Sequence, residues 1–101
     1  MNRWNIPDWL EREVLGRDLR CVYCGVEFGP VKSSWEHIVN DASIVTPENI
    51  ARCCVSCNAS KGAKDLASWL ESNYCKSRGI SATSIAAVVL RQLHADAVLG
   101  P

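Results

Sequence analysis

Cys21 with Cys24, and Cys54 with Cys57, form two Cys-x-x-Cys turns separated by 29 residues. They enclose Glu36, His37 and Asn49, and Asn58 follows the last cysteine directly. Each short turn delivers two sulfurs and carries backbone amides that can donate to them, so the four cysteines suit one tetrahedral zinc ion. Four thiolates close the coordination sphere. Such a zinc is structural, and its effect on chemistry is to clamp the segment that carries the polar residues.

Two other readings of these cysteines are weaker. Reduced core thiols do not account for two ligand-spaced pairs in one chain, and neither pair opens the βαβ pattern of a thioredoxin-type redox site. Cys53 in place of Cys54 would make a longer Cys-x-x-x-Cys turn, whereas Cys54 matches the spacing of the first pair. Cys53 and Cys75 then read as small buried hydrophobes. His94 lacks comparable neighbours and reads as an exposed or helix-end histidine.

The elements that must position these residues are short. Pro7 and Asp8 open a first helix, with Leu10, Val14 and Trp9 as its inward side and Gly16 as its stop. After the first cysteine turn come two β-prone stretches, Val26–Phe28 and Val31–Val39, divided by Gly29 and Pro30. Residues 40–49 are polar and contain Pro47, which predicts a loop. Ile50–Cys53 predicts a return strand, and a short helix is expected over Asn58–Lys64. Leu66, Trp69, Leu70 and Asn73 mark one helical face running to about Cys75, with Gly79 closing it. Ser81 is placed to cap a last helix with Ile85, Val88, Val89 and Leu93 inside, ending near Gly100 and Pro101. Adjacent residues on a regular strand face opposite ways, so Glu36 and His37 share a site only if the strand bends or ends there.

The 101 residues are enough for one domain with a modest core, which a structural metal would support. Apolar residues make up 48% of the chain, which excludes a disordered polymer. The apolar runs are short and there is no secretory layout at the N-terminus, so a cytoplasmic protein without a membrane partner is expected. Lys and Arg number 11, as do Asp and Glu, and residues 1–35, 36–64 and 65–101 are each balanced. This excludes a basic tail that grips nucleic acid by bulk charge. A basic patch would have to be assembled by folding from Arg17, Arg20, Lys32, Arg52, Lys61 and Lys64. The four tryptophans, Trp4, Trp9, Trp35 and Trp69, are expected to pack against the core rather than stack on bases.

From Val14 to Lys64 the chain resembles the HNH endonuclease family, the zinc-knuckle branch of the ββα-metal nucleases. The resemblance rests on Arg17-Asp18, Glu36-His37-Ile38, Glu48-Asn49-Ile50 and the run Cys54-Val-Ser-Cys-Asn-Ala-Ser-Lys-Gly62. Three departures accompany it: Glu36 where the family more often has Asp, Asn40 where Pro is frequent, and Asn58 at a final position that is His or Asn. The resemblance implies an α+β fold, with a zinc-stabilised ββα-metal core at about 17–64. An N-terminal helix and two C-terminal helices, at about 65–99, complete one domain over 1–101. It also implies hydrolysis of DNA phosphodiester bonds with His37 as general base. Glu36 and Asn58 would hold one catalytic Mg²⁺ or Mn²⁺, and Asn49 would fix the His37 loop and ring. Lys61, one turn beyond Asn58, would reach a phosphate. Two alternatives stay open. One is a non-catalytic zinc module that binds nucleic acid or protein, and the other is a subunit that works as a homodimer or with a protein partner.

Overall fold

The computed structural model describes the backbone of residues 5–99 and the side chains of residues 5–95, so Trp4, Gly100 and Pro101 lie outside the described residues. Helix α1 (Asp8–Arg17) starts after Pro7, with Asp8 and Glu11 in its first turn and Arg17 in its last, each charge matching the helix dipole. Leu10 and Val14 are buried, but Trp9 is 53% exposed and does not join the inward side. Gly16 stays helical. The helix ends at Asp18, whose carboxylate leaves the helix path to accept from the Arg52 amide at 3.0 Å.

Of the two β-prone stretches, only the second forms a ladder. Strand β1 (Ser33–His37) pairs antiparallel with β2 (Ile50–Cys54), in a register from Ser33 opposite Cys54 to His37 opposite Ile50. Val26–Phe28 makes isolated bridges alone, Arg20 to Glu27 and Phe28 to Val31. Cross-strand partners share a face of a ribbon, and alternate residues change face. Ser34, Glu36, Ala51 and Cys53 therefore lie on one side, and Ser33, Trp35, His37, Ile50, Arg52 and Cys54 on the other.

Each side is covered by a helix. Ile6, Leu10 and Val14 pack with Ile50, Trp35 and Val45 on the second face. The first face meets α2 (Val55–Lys61), which begins at Val55 rather than Asn58 because the Cys54 sulfur acts as its N-cap. The larger core continues beyond it through Tyr23, Trp69, Cys75, Ile80, Ile85, Val88 and Val89.

Three helices, not the expected two, follow residue 65. The apolar face from Leu66 is divided into α3 (Leu66–Leu70) and α4 (Asn73–Arg78), because the Ser72 hydroxyl turns back to cap Cys75 and restarts the helix. Gly79, at φ 68°, ends α4 in the left-handed conformation that glycine adopts without a Cβ clash. Helix α5 (Ala87–Leu99) starts later than Ser81. Ser81 and Ser84 close a turn on each other, and the Ala86 amide binds the Val22 carbonyl at 2.9 Å, drawing the chain onto the first cysteine turn before the helix begins.

Candidate metal centre and the polar face beside it

The two cysteine turns meet. One sulfur from each of Cys21, Cys24, Cys54 and Cys57 lies within 4.8 Å of every other, and Cys24 Sγ is 3.8 Å from Cys54 Sγ. A tetrahedron with zinc–sulfur bonds of about 2.3 Å has sulfur–sulfur edges of about 3.8 Å, so this donor set fits a structural zinc ion. The geometry is built locally: in each turn the fourth residue's amide donates to the first sulfur, Cys24 to Cys21 at 3.5 Å and Cys57 to Cys54 at 3.4 Å. The Cys57 thiol, chiefly by hydrogen bonding, pulls Cys21 down to about 4, and the same bond pushes Cys57 up. Burial raises Cys24 to about 11. Four thiolates this close can coexist only around a cation. Cys53 and Cys75 are fully buried and outside the cluster.

Because the Cys54 sulfur caps α2, the cysteine cluster fixes where that helix lies. Its Asn58 and Lys61, three residues apart, meet Ser34 and Glu36, two residues apart on β1. Asn58 Nδ2 donates to Ser34 Oγ at 2.9 Å, and Lys61 Nζ lies 3.3 Å from Glu36 Oε2. Tyr23 completes the group, its hydroxyl donating to the same Glu36 oxygen at 2.6 Å. Burial, then the Glu36 charge, push the Tyr23 phenol well above its ordinary value, so the phenol stays a donor.

Lys61, expected from the sequence to reach a phosphate, is 0% exposed and lies against Glu36 in this structure. A buried carboxylate needs a nearby positive charge, and the turn after Asn58 brings Lys61 inward to Glu36 instead of outward to solvent. Its ammonium is at ion-pair distance but makes no well-directed hydrogen bond.

His37 is the last residue of β1, and its regular pairing with Ile50 keeps it on the ribbon face opposite Glu36. Glu36, Asn58, Ser34 and Lys61 are thus one group, and His37 lies at the strand end without a hydrogen bond to them. Its Nε2 is buried without a hydrogen-bond partner, and the Asp41 carboxyl is held low chiefly by Ser43 and in smaller part by His37. Asn49 is fully buried. Its Oδ1 accepts from the Val39 amide at 2.7 Å, and its Nδ2 donates to the Val39 and Ile44 carbonyls, both at 3.1 Å. These bonds hold the backbone of the loop after His37; they do not touch the ring.

The candidate basic side chains are mostly committed within the fold. Arg17 forks onto Asp18 and also binds the Pro47 and Ile50 carbonyls. Arg20 pairs with Glu27, Arg52 lies over the Phe28 ring, and Lys64 binds the Ser60 carbonyl. Lys32 is exposed. Trp69 is in the core and Trp35 packs under α1, while His94 is exposed on α5. Tyr23, Ser34 and Tyr74 were not singled out by sequence. Tyr23 sits inside the first Cys-x-x-Cys turn, which is a local signal, but nothing in the order of residues pairs it with Glu36.

A search of curated proteins finds similarity to a CRISPR-associated endonuclease Cas9 from Corynebacterium diphtheriae, 33% identical over 89 residues and 85% of this chain. The matched stretch spans about 8% of that protein's length. In a chain of 101 residues a match of this extent necessarily includes Cys21 through Lys61. No protein-family model and no solved structure matches the chain. Among the described residues, no helix is long and apolar enough to cross a membrane.

Proposed function

We propose that this protein is a zinc-stabilised, metal-dependent endonuclease of the HNH type, acting on DNA as one domain over residues 1–101. The observation that carries this reading is the likeness to a named endonuclease across the whole interval from Cys21 to Lys61. The donor chemistry agrees with it. Asn58 uses its Nδ2 on Ser34 and keeps its Oδ1 as an oxygen donor, and Glu36 uses Oε2 on Tyr23 and Lys61, so each retains an oxygen suited to Mg²⁺ or Mn²⁺.

Such an ion, when bound, neutralises charge on the phosphate and the leaving oxygen. His37 accepts the proton of the attacking water through an imidazole nitrogen that no other protein group occupies. Its position at the end of β1 requires the strand end to turn toward the Glu36 face when substrate binds. Asn49 holds the Val39–Ile44 backbone that follows His37, which limits how far that end moves. Lys61 and Tyr23 hold Glu36 in place through its Oε2.

The test is cleavage of supercoiled plasmid by zinc-loaded protein with Mg²⁺, with Mn²⁺ or with EDTA. Nicking that needs the added ion, and that falls at least about a hundredfold in a folded, zinc-retaining His37→Ala protein, is the expected result. One observation favours a second reading, a non-catalytic zinc module that binds nucleic acid: Glu36 is internally compensated and lies across the ribbon from His37. Wild type and His37→Ala that are equally inert yet retard DNA equally would establish that reading instead.

A further inference from the structure

We propose that Tyr74 is a positioning residue of the zinc site, a hydroxyl that donates to the Cys57 thiolate and makes the C-terminal helices part of the metal centre. This rests on the reading of the four cysteines as zinc ligands.

Tyr74 lies on α4, 17 residues beyond Cys57, and its hydroxyl is 3.3 Å from Cys57 Sγ. The same hydroxyl is 2.8 Å from Ser56 Oγ. A phenol has one proton. If that proton is given to the sulfur, the serine must donate to the phenol oxygen, so the two contacts define one direction: Ser56 to Tyr74 to Cys57. A chain of donors ending on a thiolate is stronger than its last bond alone, because each hydroxyl polarises the next.

The ring is held in place from several directions. Trp69 packs beside it at 5.9 Å between centroids, and the Arg78 guanidinium lies over it at 3.8 Å. Trp69 is itself tied to α2 through a 3.0 Å bond from its indole Nε1 to Ser60 Oγ, and to Tyr23 by an edge contact at 4.9 Å. The hydroxyl is therefore placed by packing, and its direction toward sulfur is not an accident of a mobile side chain.

A hydrogen bond to a metal-bound thiolate withdraws electron density from the sulfur. Removing it makes the sulfur more nucleophilic and a better electron donor to the metal. The test compares wild type, Tyr74→Phe, Ser56→Ala and Lys76→Gln, each checked for fold by circular dichroism and for metal content by elemental analysis. In the Co²⁺-substituted proteins, Tyr74→Phe is expected to move the sulfur-to-cobalt charge-transfer band to longer wavelength, and Ser56→Ala to move it the same way by less. In the zinc proteins, release of metal to a colorimetric chelator during iodoacetamide alkylation is expected to quicken about ten-fold in Tyr74→Phe. Lys76→Gln, an exposed change on the same helix that leaves both hydroxyls and the packing on the ring, is expected to match wild type in both readouts.

An unchanged band and an unchanged rate in folded Tyr74→Phe would overturn the proposal. If Tyr74→Phe does not fold, Ser56→Ala decides on the same two readouts. Wild-type protein that takes up neither zinc nor cobalt would instead remove the zinc reading itself, and the proposal with it.

Discussion

Glu36 and Lys61 are both almost completely buried, and among the described residues their charges are met by each other and by the Tyr23 hydroxyl. Removing one partner leaves the other as an unpaired charge in the core, which costs far more than the pair is worth. Lys61→Met is therefore expected to destabilise the protein by about 3–5 kcal/mol in urea unfolding. The double variant Glu36→Gln with Lys61→Met should regain most of that loss, since an amide can still accept from Tyr23. A Lys61→Met cost near zero would mean that the ammonium reaches water and that Glu36 is not held by it. The same pairing explains why a lysine one turn past Asn58 is unsuited to touch a phosphate from its present position.

At the scale of elements, the ribbon is short and the loop between its strands is long, so the loop must be anchored by something other than ladder hydrogen bonds. Asn49 provides the anchor, with three side-chain bonds to the Val39 and Ile44 backbone. Asn49→Ala leaves the part-buried Val39 amide without its side-chain acceptor and is expected to cost about 2–4 kcal/mol. Hydrogen exchange localises the effect. The Val39 amide should exchange faster in the variant, whereas the Ile38 amide, which binds the Asn49 main-chain carbonyl at 2.9 Å, should keep its protection relative to global unfolding. Equal loss at both amides would show that the alanine frays the whole strand end, and that Asn49 does not act through the loop alone.

At the scale of the whole molecule, the four-cysteine cluster joins the two ends of the core. Cys21 and Cys24 precede the ribbon, Cys54 and Cys57 join it to α2, and the Val22 carbonyl receives the Ala86 amide from the segment before α5. Ligand binding by a folded cluster is folding free energy. One zinc per chain is expected by elemental analysis, and a strong chelator should abolish the cooperative thermal transition. Cys24→Ser should lose the bound zinc, and Cys53→Ser should retain it, because Cys53 faces the core from β2 away from the cluster. Retention in Cys24→Ser with loss in Cys53→Ser would reassign the ligands.

Residue order alone was enough for the chemistry that is local in the chain. Each Cys-x-x-Cys turn closes on itself, so spacing was enough to identify four sulfurs that the fold then gathers. Helix α1, the paired strands and the loop with Pro47 were legible for the same reason, since their signals lie within a few residues of one another. The split between α3 and α4 was less so, because one continuous apolar face gives no sign that the Ser72 hydroxyl restarts the helix. What lies across the ribbon and across α2 was set by folding. It turned Lys61 inward to Glu36, assigned Tyr23 to the same carboxylate, and kept His37 on the opposite face by strand pairing. It also brought Tyr74 from a later helix to Cys57. Those contacts join elements far apart in the chain, and the direction a side chain takes there is set by the burial of charge and the packing of neighbouring helices, which residue order does not encode locally.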